Sequence, residues 1–84
     1  MTGFSKVRTT VNVDGQDLVL AELSALDFAS LVTEQDEQQQ ALEMLSRSIE
    51  SPQVTALEVG AWPKRIVDEL LATVAELNGF ASGN

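Results

Sequence analysis

The stretch WPKRIVDELLATVAELNGF, residues 62–80, constrains this chain more than any other, because it carries its own start, apolar face and stop. Pro63 suits a first helical turn, where its missing N–H would have no intrahelical partner and its fixed φ is already helical. Ile66, Val67, Leu70, Leu71, Val74 and Leu77 then recur at the helical period and wind into one apolar stripe that must be buried. Asn78-Gly79 ends the helix, since Gly takes the left-handed conformation readily, and Phe80 beyond it is placed to fold back onto the last turn. A helix is predicted from about Pro63 to this stop, and the preceding residues read as material for it to pack against.

Upstream, KVRTTVNV alternates from Lys6 to Val13, with Val7, Thr9, Val11 and Val13 on one face and Lys6, Arg8, Thr10 and Asn12 on the other. Period two with β-branching predicts a strand. Asp14-Gly15 tolerates the positive φ values of a tight turn, and the chain resumes with Leu18, Val19 and Leu20, so an N-terminal β-hairpin is predicted over residues 6–22. A lone hairpin is barely stable in water. Its face must pack on helices or its edge must pair with another chain, which leaves a homo-oligomer open.

Ser24 with Asp27 resembles a capping box and predicts a helix from about Ala25, with Leu26, Ala29 and Val32 on one side and Phe28 and Leu31 adjacent. Past the polar stretch Thr33 to Glu37, the spacing of Ala41, Leu42, Met44, Leu45, Ser48 and Ile49 predicts a second helix running to about Glu50. One bent helix over residues 25–50 fits the same pattern. Ser51-Pro52 breaks the helix. Thr55 with Glu58 is a good capping box for a short turn through Ala56, Leu57 and Val59 that Gly60 closes. The predicted fold class is α+β and mostly α: an N-terminal β-hairpin followed by three main helices and one short helical turn. It forms one domain over residues 1–84, with a loose arm at 1–5, a helical part at 24–80 and a tail at 81–84 that frays.

Composition narrows the function. No apolar run approaches the roughly 20 residues of a membrane span, and the N-terminus lacks the apolar core of a secretory signal, so an intracellular protein is expected. Zero Cys and zero His remove disulfides, thiolate chemistry, zinc–sulfur sites and the usual neutral-pH base. With no Gly-rich phosphate loop either, no enzyme, cofactor or metal is expected. Thirteen acidic against five basic residues give a net charge of -8, which opposes phosphate backbones and anionic lipid, so neither nucleic acid nor membrane is an expected partner.

Individual clusters have plain accounts. Asp14, Asp17 and Glu22 surround a turn without the ligand spacing of a calcium loop. Asp36, Glu37 and Glu43 read as a solvated face, since nothing nearby in sequence desolvates one of them. Lys64 and Arg65 oppose the helix dipole and are compensated by Asp68 and Glu69 four residues on; otherwise they form a basic spot for an acidic segment of a partner. Trp62 reads as a core anchor or as an interface aromatic. Met44, Leu45 and Ile49 read as core rather than as an adaptable groove.

Three stretches together resemble the tail assembly chaperones of long-tailed bacteriophages: the opening VNVDGQDLVLAELSALDF, the acidic and Gln-rich middle EQDEQQQALEMLSRSIES, and the ending ALEVGAWPKRIVDELLATVAELNGF. The resemblance is one of style and order along nearly the whole chain, without an invariant motif. It implies a non-catalytic protein of the bacterial host cytoplasm that binds the tape-measure protein, helps recruit tail-tube subunits and is absent from the mature virion. The family also implies short and frameshifted long forms, and it has no fixed functional residues to transfer. The candidate partner surface is the apolar stripe itself, Trp62, Ile66, Leu70, Val74, Leu77 and Phe80, with Lys64 and Arg65 beside it. Rival readings are an acidic inhibitor that mimics DNA, and a minor structural subunit of the tail.

Overall fold

Asp14 and Gly15 fix the first element. Both adopt positive φ, 49° and 85°, which a type I′ two-residue hairpin turn requires at its two central positions. In the computed structural model, which describes residues 3–79, they join β1 (Arg8–Val13) to β2 (Gln16–Ala21) in an antiparallel pair with Val13 opposite Gln16 and Arg8 opposite Ala21. Alternation places Val13 in the core with Thr9 and Val11 half-buried, while Arg8, Thr10 and Asn12 face solvent. The predicted hairpin is present, although its first strand begins at Arg8 rather than Lys6. Ahead of it Val7 stays tied to the sheet, since its carbonyl accepts from the Glu22 N–H at 3.0 Å and its N–H donates to the Glu22 carboxylate at 2.7 Å. Residues 3–5 of the arm have no regular structure, and the expected fraying of 81–84 lies outside the described residues.

Two helices, not one bent helix, occupy residues 25–50. The first, α1 (Ala25–Leu31), is capped by Ser24, whose hydroxyl accepts from the Asp27 N–H at 3.0 Å. The second, α2 (Glu37–Ser48), is capped by Asp36, whose carboxylate accepts from Gln38 and Gln39. Asp36 therefore starts a helix while remaining exposed to solvent, as does Glu37 beside it. The expected α1 face does not hold. Leu31 is the buried apolar side chain, whereas Leu26 is 83% and Val32 60% exposed, because this two-turn helix packs chiefly on α2 and a single row of side chains suffices for that.

The predicted second helix runs two residues too far. Ile49 leaves helical angles with ψ at 108°, and β3 (Ile49–Ser51) adds a third strand antiparallel to β2, giving the order β1-β2-β3. Ile49 satisfies the helical spacing from Leu45, but it buries equally well opposite Leu20, and the strand pairing decides. On the solvent side of the sheet the Arg8 guanidinium reaches Glu50 at 2.6 Å, so the ion pair links the two outer strands across β2.

The short helix α3 (Ala56–Gly60) forms as expected, with the reciprocal Thr55–Glu58 box in place. Gly60 does not close it by a left-handed turn; it ends the helix where a Cβ would stand 3.2 Å from Leu42, so its role is close approach to α2. The last helix, α4 (Lys64–Leu77), has Pro63 as its N-cap with ψ at 141°, one residue outside the predicted first turn. Ile66, Leu70 and Val74 enter a core with Leu18, Leu20, Leu45, Ile49 and Val59. Burying those three side chains stabilises the fold by at most roughly 5–9 kcal/mol, an upper bound for an extended unfolded chain. The Asn78-Gly79 stop is also as predicted, with the Gly79 φ at 76° and its N–H bonding the Glu76 carbonyl at 3.2 Å, while the expected fold-back of Phe80 lies outside the described residues.

Candidate functional site

The α4 stripe divides into two rows. Ile66, Leu70 and Val74, spaced four residues apart, point inward and are 6%, 0% and 0% exposed, so they serve the protein's own core. Val67 and Leu71 form the neighbouring row and are only half-buried. They are the α4 contribution to a groove of about 440 Å³ between α2 and α4. Trp62 and Gly60 line it as well, Ala41 and Leu42 form the α2 wall, and Glu37, Lys64 and Asp68 add charge to this apolar lining. Trp62 is half-buried and also borders the hairpin turn beside Val13 and Ile66. It is thus both an anchor and a wall.

Of the residues expected to meet a partner, the structure brings Trp62 and Lys64 to this groove, leaves Leu77 half-buried further along α4, and buries Ile66, Leu70 and Val74 in the core, with Ile66 also edging the hollow beside the hairpin turn. Phe80 lies outside the described residues. The burial of the middle three corrects the expectation that the inner row of the stripe binds. That row is consumed by the sheet and α2, and the flanking row remains. Val67, Leu71 and Leu42 are the large apolar groove residues absent from the expected set, and the signal for the two on α4 was present in the width of the stripe, too broad for one contact.

The basic spot is already neutralised. Lys64 pairs with Asp68 at 2.6 Å, as predicted, but Arg65 reaches Asp14 in the hairpin turn at 3.0 Å rather than Glu69. The cross-element pair ties the start of α4 to β1–β2. Arg47 bonds Asp27 at 2.9 Å and Ser30 at 3.3 Å, holding α1 to α2, and four of the five basic residues are thereby matched to carboxylates. Burial pushes the Asp27 carboxyl up, but the hydrogen bonds from Arg47 and Ser24, with the Arg47 charge, together hold it below the usual range. The Arg8 hydrogen bond lowers the Glu50 carboxyl, against the opposing effect of desolvation and with further help from the Arg8 and Lys6 charges.

A second concavity of about 340 Å³ lies on the other flank of α2, lined by Phe28, Leu31, Val32, Gln40 and Met44 and sharing Glu37 and Ala41 with the first. Met44 is therefore not wholly core, unlike Leu45 and Ile49. The two hollows make a broken apolar band across α2. Among the described residues, no group of three or more His, Cys, Asp or Glu side chains is arranged to hold a metal ion, and no helix is long and apolar enough to cross a membrane. The arrangement offers shape and apolar contact. No protein-family model, curated protein or solved structure matches this chain.

Proposed function

We propose that this protein is a non-catalytic assembly chaperone of a long-tailed bacteriophage. It holds an amphipathic helical segment of the tape-measure protein and helps bring tail-tube subunits to it in the host cytoplasm, and it is left out of the finished particle. The division of the α4 stripe carries the reading: one row builds the core while Val67 and Leu71, with Trp62 and Leu42, line an open groove bordered by charge. A partner helix that buries one apolar face in a groove makes contact through anchors spaced three and four residues apart, and Val67 and Leu71, one turn apart on α4, give such anchors an apolar wall to pack on. The net charge of -8 keeps such a complex soluble while greasy segments of a long partner are covered.

Co-expression with the tape-measure protein of the same genome tests this. The wild-type chain raises the soluble fraction of tape measure, and Val67→Glu, which puts a charge on the groove wall, abolishes the gain. Tape-measure solubility that is the same with and without this chain rejects the proposal. Finding the chain in purified particles would favour a structural subunit instead.

A further inference from the structure

The outer edge of β1 is the second feature built for company, and it stands independently of the chaperone reading. A two-residue turn makes Val13 and Gln16 a hydrogen-bonded pair, so the odd-numbered residues of β1 bond to β2, in agreement with the Glu22 N–H to Val7 carbonyl bond at 3.0 Å. The N–H and C=O groups of Arg8, Thr10 and Asn12 then point away from β2, and among the described residues no backbone group pairs with them. Sheets ordinarily protect such an edge with a short strand, charged side chains, a proline or a bulge, and of these β1 carries only the Arg8 charge, which is paired with Glu50. At the opposite edge β3 is three residues long and is followed by Pro52, whereas β1 is six residues long, carries no proline and has an unbroken register.

We propose that β1 pairs antiparallel with β1 of a second copy of this chain, with Thr10 on the two-fold axis. Charge and hydrogen bonding select this register. Lys6 lies two residues before the strand and Asp14, whose carboxylate also takes Arg65, directly follows it, so placing Thr10 opposite Thr10 sets Lys6 of each copy opposite Asp14 of the other. The same register pairs Arg8 with Asn12 of the second copy, and all three outward-facing residues on each side enter the ladder. Val7, 57% exposed, comes to lie opposite Val13 on the helix-covered face and is shielded there.

Sedimentation equilibrium of the full chain is expected to give twice the 9.1 kDa chain mass. Thr10→Pro removes an outward N–H without touching the bonds to β2, and it should return the mass to that of one chain while far-UV circular dichroism stays unchanged. The native chain has no cysteine, so a single Thr10→Cys reports the register directly. In a hydrogen-bonded antiparallel pair its Cα atoms stand about 5.5 Å apart, within the roughly 4.4–6.8 Å that a disulfide spans. Mild oxidation should convert Thr10→Cys to a covalent dimer, whereas Asn12→Cys, about 14 Å from its counterpart, should stay uncrosslinked. A single-chain mass at every concentration overturns the proposal and leaves the edge to a strand of another protein. A dimer that Thr10→Pro does not dissociate, or equal crosslinking at positions 10 and 12, overturns it by placing the interface elsewhere.

Discussion

Asn78 is the hinge pin of the last helix, and replacing it tests how α4 is held in register. Its Oδ1 accepts from the Leu23 N–H at 2.8 Å and its Nδ2 donates to the Val74 carbonyl at 2.8 Å, both in a part-buried setting. These two bonds are not equivalent. The Val74 carbonyl also accepts from the Asn78 backbone N–H at 3.0 Å, so it keeps a partner when the side chain is removed. Among the described residues the Leu23 N–H has no such reserve, and Asn78→Ala leaves it without a protein partner at a cost of about 1–3 kcal/mol. A chain of this length is stable by roughly 4–13 kcal/mol in total, so the loss is a substantial fraction. Taking about 2 kcal/mol, Tm falls by roughly 8–16 °C. Asn78→Asp retains the acceptor for Leu23 but adds negative charge at a helix C-terminus, a penalty of about 0.3–1 kcal/mol, and should fall between the two. Urea denaturation followed by circular dichroism gives the order. An Asn78→Ala variant within about 0.5 kcal/mol of wild type, or an Asp variant no better than Ala, would refute the idea that the Leu23 bond is the main tie at this end of α4.

Three other substitutions probe the same geometry. Ser48 is fully buried and its Oγ has no hydrogen-bond partner among the described residues, so Ser48→Ala should be neutral or stabilise by up to about 1 kcal/mol in urea denaturation. Arg47→Ala removes the fork to Asp27 and Ser30, so hydrogen exchange should quicken in residues 25–31 and stay unchanged in α4. The Glu50 carboxyl is lowered on folding, so its contribution is complete above the ordinary glutamate pKa and is lost as pH falls through the lower folded value; Glu50→Gln should flatten the acid limb of stability against pH.

The parts of this fold governed by neighbours in sequence were legible, and those governed by distant pairing were not. Asp14-Gly15, Ser24 and the Thr55–Glu58 box act within a few residues, and each was readable as it stands. Ile49 was not, because its distance from Leu45 suits a helix and only the position of β2 turns it into a strand. Half of the candidate site was legible for the same reason. The stripe on α4 was plain, but which of its two rows faces inward depends on the rotation of the helix. Two long-range ties bear on that rotation, Asn78 to Leu23 and Arg65 to Asp14, each more than fifty residues apart in the chain. Hence Ile66, Leu70 and Val74 were expected at the partner surface and lie in the core, while Val67 and Leu71 line the groove beside Trp62.

Whether this groove receives an amphipathic helix can be read residue by residue, by NMR titration of the full chain with a helical segment of the tape-measure protein from the same genome. Concentration-dependent shifts are expected for the Trp62 indole and for the Leu42, Val67 and Leu71 methyls. Ile66, Leu70 and Val74 should change little, and all shifts should be lost in Val67→Glu. A spectrum that stays still at saturating segment, or one that moves only on surfaces away from α2 and α4, would mean that the groove is not where a partner helix binds.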